Sequence, residues 1–151
     1  MSGDEARALF ARAIDRHRAR DTASSIDLAR QAVALDPAYA EALEHLGTLL
    51  VTRRRAYAEG IACIERAVAA RADDAGLWYS LGWCCEFAAH EIARRGGGAA
   101  GAPRTGRLAD PRSLYERAAE AFRRCLALHP EGKLADDAAD LLDHVENELR
   151  R

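Results

Sequence analysis

Apolar residues recur every third or fourth position along most of the chain, the spacing of a helix with one buried face. Leu9, Phe10, Ala13 and Ile14 form the first stripe and predict a helix from about Asp4 to Arg18. Ile26, Ala29, Ala32 and Val33 form the second, from Thr22 to Leu35. Asp36-Pro37 then reads as a boundary: proline cannot continue one helix but suits the first turn of the next, with Asp36 as its N-cap. Further helices are predicted over about Pro37 to Arg53 and Tyr57 to Arg71. A fifth is capped by Asp73-Asp74 and runs from Leu77 to at least Ile92. The glycine-rich stretch from Gly96 to about Ala109 cannot hold a helix and is expected to be a flexible loop. A sixth helix starts at Asp110-Pro111 or at Ser113, where Ser113 and Glu116 have capping-box spacing, and ends near His129-Pro130. Leu134, Ala138, Leu141, Leu142, Val145 and Leu149 mark a last helix with carboxylates on its other face. No segment alternates polar and apolar residues with β-branched content, so the fold class is all-α.

The helices repeat. Leu46-Gly47 and Leu81-Gly82 stand 35 residues apart, and aligning them puts Ala40-Glu41-Ala42-Leu43 over Ala75-Gly76-Leu77-Trp78. Tyr57, Ile61, Ile64 and Ala67 then fall over Tyr115, Ala119, Phe122 and Cys125. A period of this size means that each unit is one supersecondary element unable to bury its apolar face alone. The expected domain is a single stack over residues 1–151: repeat 1 at about 6–39, repeat 2 at about 40–74, and repeat 3 at about 75–133, carrying the insertion at about 96–109. A capping helix over about 134–150 closes it, polar on its outer face as a terminal lid requires.

Composition narrows the setting. The net charge of −2 argues against bulk nucleic-acid binding. Lys133 is the only lysine and Asn147 the only asparagine, and this Arg- and Ala-rich usage resembles that of a high-GC bacterial genome. The start, Met1-Ser2-Gly3-Asp4-Glu5, has neither a basic nor an apolar signal region, and no apolar run approaches the ~18 residues of a membrane span. A cytoplasmic protein without a membrane span is expected. Cys63, Cys84, Cys85 and Cys125 lie within helical patterns and read as reduced, mostly buried thiols. Adjacent Cys84 and Cys85 point about 100° apart on a helix and are poorly placed to pair.

These residues resemble the tetratricopeptide-repeat (TPR) family, whose unit is a 34-residue helix-turn-helix with small and large apolar residues at fixed positions. Repeat 2 supplies Leu43, Leu46, Gly47, Leu50, Tyr57, Ile64 and Ala67, with Gly60 where the family usually has alanine. Repeat 3 supplies Trp78, Leu81, Gly82, Cys85, Tyr115, Ala118, Phe122, Cys125 and Pro130. Repeat 1 matches at Leu9, Ala13, Ala32 and Pro37, while Arg12 and Arg16 replace large apolar residues. Repeat 2 has one extra residue in its Arg53-Arg54-Arg55 turn, and the long insertion of repeat 3 falls in the equivalent turn. The resemblance implies an α-α superhelix of three hairpins plus a cap, binding extended or helical peptide segments in a concave groove lined by the first helix of each pair.

The family's groove positions map onto Arg7, Phe10, Ile14, His17 and Arg18 in repeat 1, and onto Glu41, Glu44, Thr48, Val51 and Thr52 in repeat 2. In repeat 3 they map onto Gly76, Tyr79, Trp83, Glu86 and Phe87. Tyr79, Trp83 and Phe87 form an aromatic ladder and are the expected anchors, since such side chains bury large areas at little rotamer cost. The alternative is that the last helix or the glycine-rich loop covers the ladder and makes it core. Trp78, in contrast, falls between layers. Versions of the family that clamp a terminal carboxylate use Lys and Asn on these helices; neither is present there, and the groove's mixture of Arg and Glu leaves the ligand's charge open.

The turns inside the hairpins collect a basic edge: Arg16, Arg18, Arg20, Arg53, Arg54, Arg55, Arg94, Arg95, Arg104, Arg107 and Arg112. The opposite edge has Asp36, Asp73, Asp74, Glu131, Asp136 and Asp137. Ordinary complementation of helix dipoles accounts for both, and an electrostatic docking edge for an acidic partner, membrane surface or RNA is the alternative. His90-Glu91 begins like a zinc-protease helix, but Arg94 stands where the second histidine belongs. Cys85, Glu86 and His90 on one turn are weak grounds for a metal, and there is no phosphate loop or nucleophile elbow. No catalytic residue, metal or cofactor is expected. The reading is a non-enzymatic adaptor for a protein or peptide partner, with a self-associating structural subunit, a homodimer, as the alternative.

Overall fold

The computed structural model describes residues 2–95 and 110–151, which form seven helices. They are α1 (Ser2–Arg18), α2 (Thr22–Leu35), α3 (Ala40–Arg54), α4 (Tyr57–Ala70), α5 (Ala75–Arg94), α6 (Pro111–Ala127) and α7 (Gly132–Leu149). Helices α1 with α2, α3 with α4 and α5 with α6 pack as antiparallel hairpins; α2 meets α3, α4 meets α5, and α3 lies beside α5. Helix α7 packs on α6 and α5. The predicted hairpins and terminal lid are therefore present in the predicted order. The expected loop over 96–109 lies outside the described residues.

Capping residues set most boundaries. Asp21 accepts the Ser24 N–H at 3.1 Å, Asp74 accepts that of Leu77 at 3.2 Å, and Asp110 accepts that of Arg112 at 3.0 Å with Pro111 in the first turn. The first of the two predicted starts for α6 is thus the observed one. One boundary is corrected: Asp36-Pro37 does not open α3. The Asp36 N–H instead closes α2 on the Ala32 carbonyl, and α3 starts at Ala40 after a turn. The Asp36 carboxylate accepts the Ala38 N–H inside that turn at 3.3 Å, so its capping capacity is spent before the helix begins.

The extra residue of repeat 2 is visible in the backbone. Helix α1 ends with the Asp21 N–H on the Arg16 carbonyl and the Arg20 N–H on that of His17, with Arg20 in the left-handed region at φ 63°. Helix α3 ends instead with the Ala56 N–H on the Leu50 carbonyl, a loop one residue wider, with Arg55 at φ 53°. The insertion is absorbed in the turn and leaves the core in register.

The core runs through all three hairpins. Leu43, Leu50, Tyr57, Ile61 and Ile64 fill the second, and Leu114, Phe122, Cys85 and Cys125 the third, all essentially without solvent contact. Two glycines cross inside the second hairpin: a Cβ on Gly47 would stand 2.6 Å from the Gly60 carbonyl oxygen, and one on Gly60 would stand 2.7 Å from that of Gly47. Gly82 works differently. Its missing Cβ makes room for the Phe122 ring, which would be 2.7 Å away, so here a side chain and not a backbone occupies the space. Trp78 is half-buried on the outer layer: its indole N–H donates to the Ala72 carbonyl at 2.7 Å, and the Arg124 guanidinium lies 5.4 Å from its ring centre. No helix among the described residues is long and apolar enough to cross a membrane.

Candidate functional site

Helix α3 stands beside α5 and meets α1 through Phe10, His17 and His45, and the face they share carries a concavity of about 470 Å³. His17 of α1, His45, Thr48, Leu49, Thr52 and Arg53 of α3, and Trp83 and Phe87 of α5 line it. Trp83 and Phe87 are one helical turn apart, and their rings stack at 5.4 Å with an interplanar angle of 18°. Both are half-buried, so one side of the stack rests on the core while the other faces the concavity.

The opposite wall is built around His45. Its ring meets Phe10 edge-on at 5.7 Å and His17 at 5.2 Å. Behind it, the buried Ser25 hydroxyl donates its only hydrogen to the Ala13 carbonyl at 2.7 Å. The 2.9 Å contact between Ser25 Oγ and His45 Nε2 is therefore one in which the imidazole N–H donates, leaving Nδ1 as the acceptor of the neutral ring. Burial, and secondly the neighbouring His17, push the His45 pKa below the ordinary imidazole value. A neutral, oriented imidazole thus forms this wall, with the Thr52 hydroxyl donating to the Thr48 carbonyl at 2.7 Å.

The remaining groove positions separate. Arg7 is exposed at the far end of α1 on an ion pair with Asp4 at 3.3 Å, and Ile14 is half-buried. Phe10 packs edge-on against Tyr39 at 5.3 Å as well as against His45. Glu44 is tied to α5, accepting the Ser80 hydroxyl at 2.5 Å; burial raises its pKa and that bond partly offsets the rise. Tyr79 leans on Phe122, with ring centres 5.9 Å apart, and burial followed by the nearby Asp137 of α7 raises its pKa. Glu86 faces His144 of α7 at 3.6 Å, and burial again raises its pKa. The last helix therefore covers the Tyr79 and Glu86 side of the face and leaves Trp83 and Phe87 on the concavity.

Val51 needs a correction. It is fully buried, because the close crossing of Gly47 and Gly60 places its Cγ2 where a Cβ of residue 60 would be, at 2.7 Å. Its side chain belongs to the seam between α3 and α4. His45, Leu49 and Arg53 line the concavity beside the expected Thr48 and Thr52. The sequence carried a signal for this at Gly60, where the smaller residue draws α3 onto α4.

On the basic edge, Arg53, Arg54 and Arg55 are exposed and form no ion pair among the described residues, whereas Arg94 and Arg95 both pair with Glu91, at 3.1 and 3.5 Å. Arg18 meets Asp15 at 3.9 Å, and Arg112 meets Glu116 at 3.4 Å. Arg104 and Arg107 lie outside the described residues. All four cysteines are free and buried, and burial pushes the Cys84 and Cys85 thiols up to about 12, far from a reactive thiolate.

No protein-family model matches the chain, and no curated protein sequence matches it. Solved structures do. The first TPR of Spaghetti (RPAP3), bound to the HSP90 peptide SRMEEVD, superimposes with a TM-score of 0.72 at 15% identity, over 99% of this chain and 96% of that one. The Arabidopsis OM64 TPR domain gives 0.68 at 13% identity, over 97% and 98% of the two chains. The N-terminal domain of stress-induced protein-1 (STI-1) from C. elegans gives 0.59 at 14% identity, over 93% and 97%. With seven helices among the described residues, in three stacked hairpins and a lid, this chain has the fold of tetratricopeptide-repeat domains.

Proposed function

We propose that the protein is a non-enzymatic interaction module that takes a segment of a partner protein on its concave face. The observation that carries this reading is the Trp83–Phe87 stack, half-open on a concavity whose opposite wall is the oriented His45. Rigid aromatic side chains at the centre of a concave surface are the usual dominant contributors to partner affinity. The similarity to a repeat domain solved with a peptide supports the same role. Four buried, free thiols fit a reducing compartment, and we place the protein in the cytoplasm on that ground.

Selection of a random dodecapeptide display library on the immobilised protein tests this reading. Enriched peptides should bind, and Trp83→Ala and Phe87→Ala should each weaken them at least about tenfold, or ~1.4 kcal/mol, while the helical circular-dichroism signal is kept. Failure to enrich any peptide, or binding indifferent to both substitutions, overturns the proposal. Light scattering separates the competing structural-subunit reading, which requires a mass that rises to a dimer with concentration.

A further inference from the structure

Glutamates and arginines are both present on the concave face, but at the concavity itself the lining offers a ligand only one sign. Each groove glutamate is engaged or covered: Glu41 pairs with Arg71 at 2.8 Å, Glu44 accepts the Ser80 hydroxyl at 2.5 Å, and Glu86 is largely shielded from solvent, 3.6 Å from His144 of α7. Among the described residues, no carboxylate lines the 470 Å³ concavity. At its mouth stands Arg53, followed by Arg54 and Arg55, all exposed and without an ion pair among the described residues. Segment 96–109 contains no Asp or Glu, so it has no side-chain carboxylate to offer them.

Arg55 holds φ at 53°, the left-handed helix ending that Arg20 at φ 63° and His129 at φ 54° also adopt, so glycine fits this position without strain.

We infer that the segment seated in this groove is acidic: an apolar side chain enters between Leu49, Trp83 and Phe87, and flanking carboxylates meet Arg53 to Arg55 at the mouth. This rests on the groove reading proposed above and adds the partner's chemistry to it. A phosphate-bearing surface fits less well. Of the three unpaired cations, Arg53 lines the aromatic concavity and Arg54 and Arg55 follow it in the chain, whereas the neighbouring Arg94 and Arg95 share the single Glu91 carboxylate. Complementary charge at a rim mainly accelerates association and makes it sensitive to salt.

The same dodecapeptide selection, read for charge, tests the inference. Asp and Glu should be enriched beside an apolar residue, and a synthetic selected peptide should bind at least about tenfold more weakly when ionic strength rises from about 0.05 to about 0.5 M. The triple variant Arg53→Glu, Arg54→Glu, Arg55→Glu should lose at least about tenfold in affinity. Arg55→Gly should weaken the same peptide while raising the melting temperature, since it removes one cation and relaxes the turn. Selection of basic or uncharged peptides that still depend on Trp83 overturns the acidic partner and leaves the groove reading standing. Acidic peptides indifferent to Trp83→Ala overturn both. Binding of single-stranded DNA or phosphatidylserine vesicles without acidic enrichment assigns the arginines to phosphate and sinks the inference.

Discussion

Tyr79 and Trp83 stand one turn apart on α5 and face the same way by helical periodicity, yet they end in different environments. Tyr79 meets Phe122 of α6 at 5.9 Å and lies near Asp137 of α7, whereas Trp83 stacks on Phe87 and borders an open concavity. An amphipathic stripe fixes direction but not cover. Cover depends on which later helix arrives, and α7 reaches α5 at the Tyr79 and Glu86 side.

The sharpest way to break this contrast is to remove what holds Tyr79. Phe122→Ala empties a fully buried site and the space left by Gly82, and should cost about 3–5 kcal/mol in urea-denaturation stability. A loss below about 1 kcal/mol would mean that Phe122 is not the keystone of the third hairpin.

Next in size is the divided effect of the two aromatics. Trp83→Ala should lower affinity for a selected peptide by about 2 kcal/mol and stability by less. Tyr79→Ala should do the reverse, moving the melting temperature more than the affinity. Equal effects of both on binding would erase the distinction between covered and open ends of the ladder.

Ser25→Ala probes the wall facing Trp83. It removes the buried hydroxyl that fixes His45, and a cost of about 1–2 kcal/mol is expected, because the imidazole N–H loses its partner. Nuclear magnetic resonance of the His45 ring should show the tautomer preference lost; an unchanged tautomer would remove Ser25 as its cause.

The smallest effect is one of pH. Burial and His17 depress the His45 pKa, so the unfolded chain binds this proton more readily than the native state. The associated stability is present above the ordinary value of about 6.5 and is lost as pH falls from there toward the folded value. Glu44 and Glu86, whose carboxyls burial pushes up, respond in the opposite sense, so the comparison must be made against a variant. Between about pH 7.5 and about pH 5.5, wild type should lose more stability in urea than His45→Gln does. Parallel losses would show that His45 is free to protonate in the fold.

Much of the architecture was legible in the residues. Helical periodicity, the aspartate caps at 74 and 110 and the Leu-Gly phase placed the hairpins, because each of these signals acts within one turn or one repeat. The lining of the concavity was legible in part. Thr48, Trp83 and Phe87 were assignable from phase, and His17 joined them. His45 was not, since its role depends on Ser25, twenty positions earlier in a different helix. Val51 was misplaced because the face that α3 presents depends on how closely Gly47 and Gly60 approach, which is a property of two helices together.

By itself, then, the sequence determined the all-helical repeat, its phase and the aromatic stripe on α5, all of which follow from short-range spacing. Only the tertiary structure decided which end of that stripe stays open and which charges remain unpaired. Cover and pairing come from residues distant in the chain, as Glu44 with Ser80 and Glu86 with His144 show. Among the described residues, the concavity is lined by no carboxylate, and Arg53 at its mouth has no ion pair.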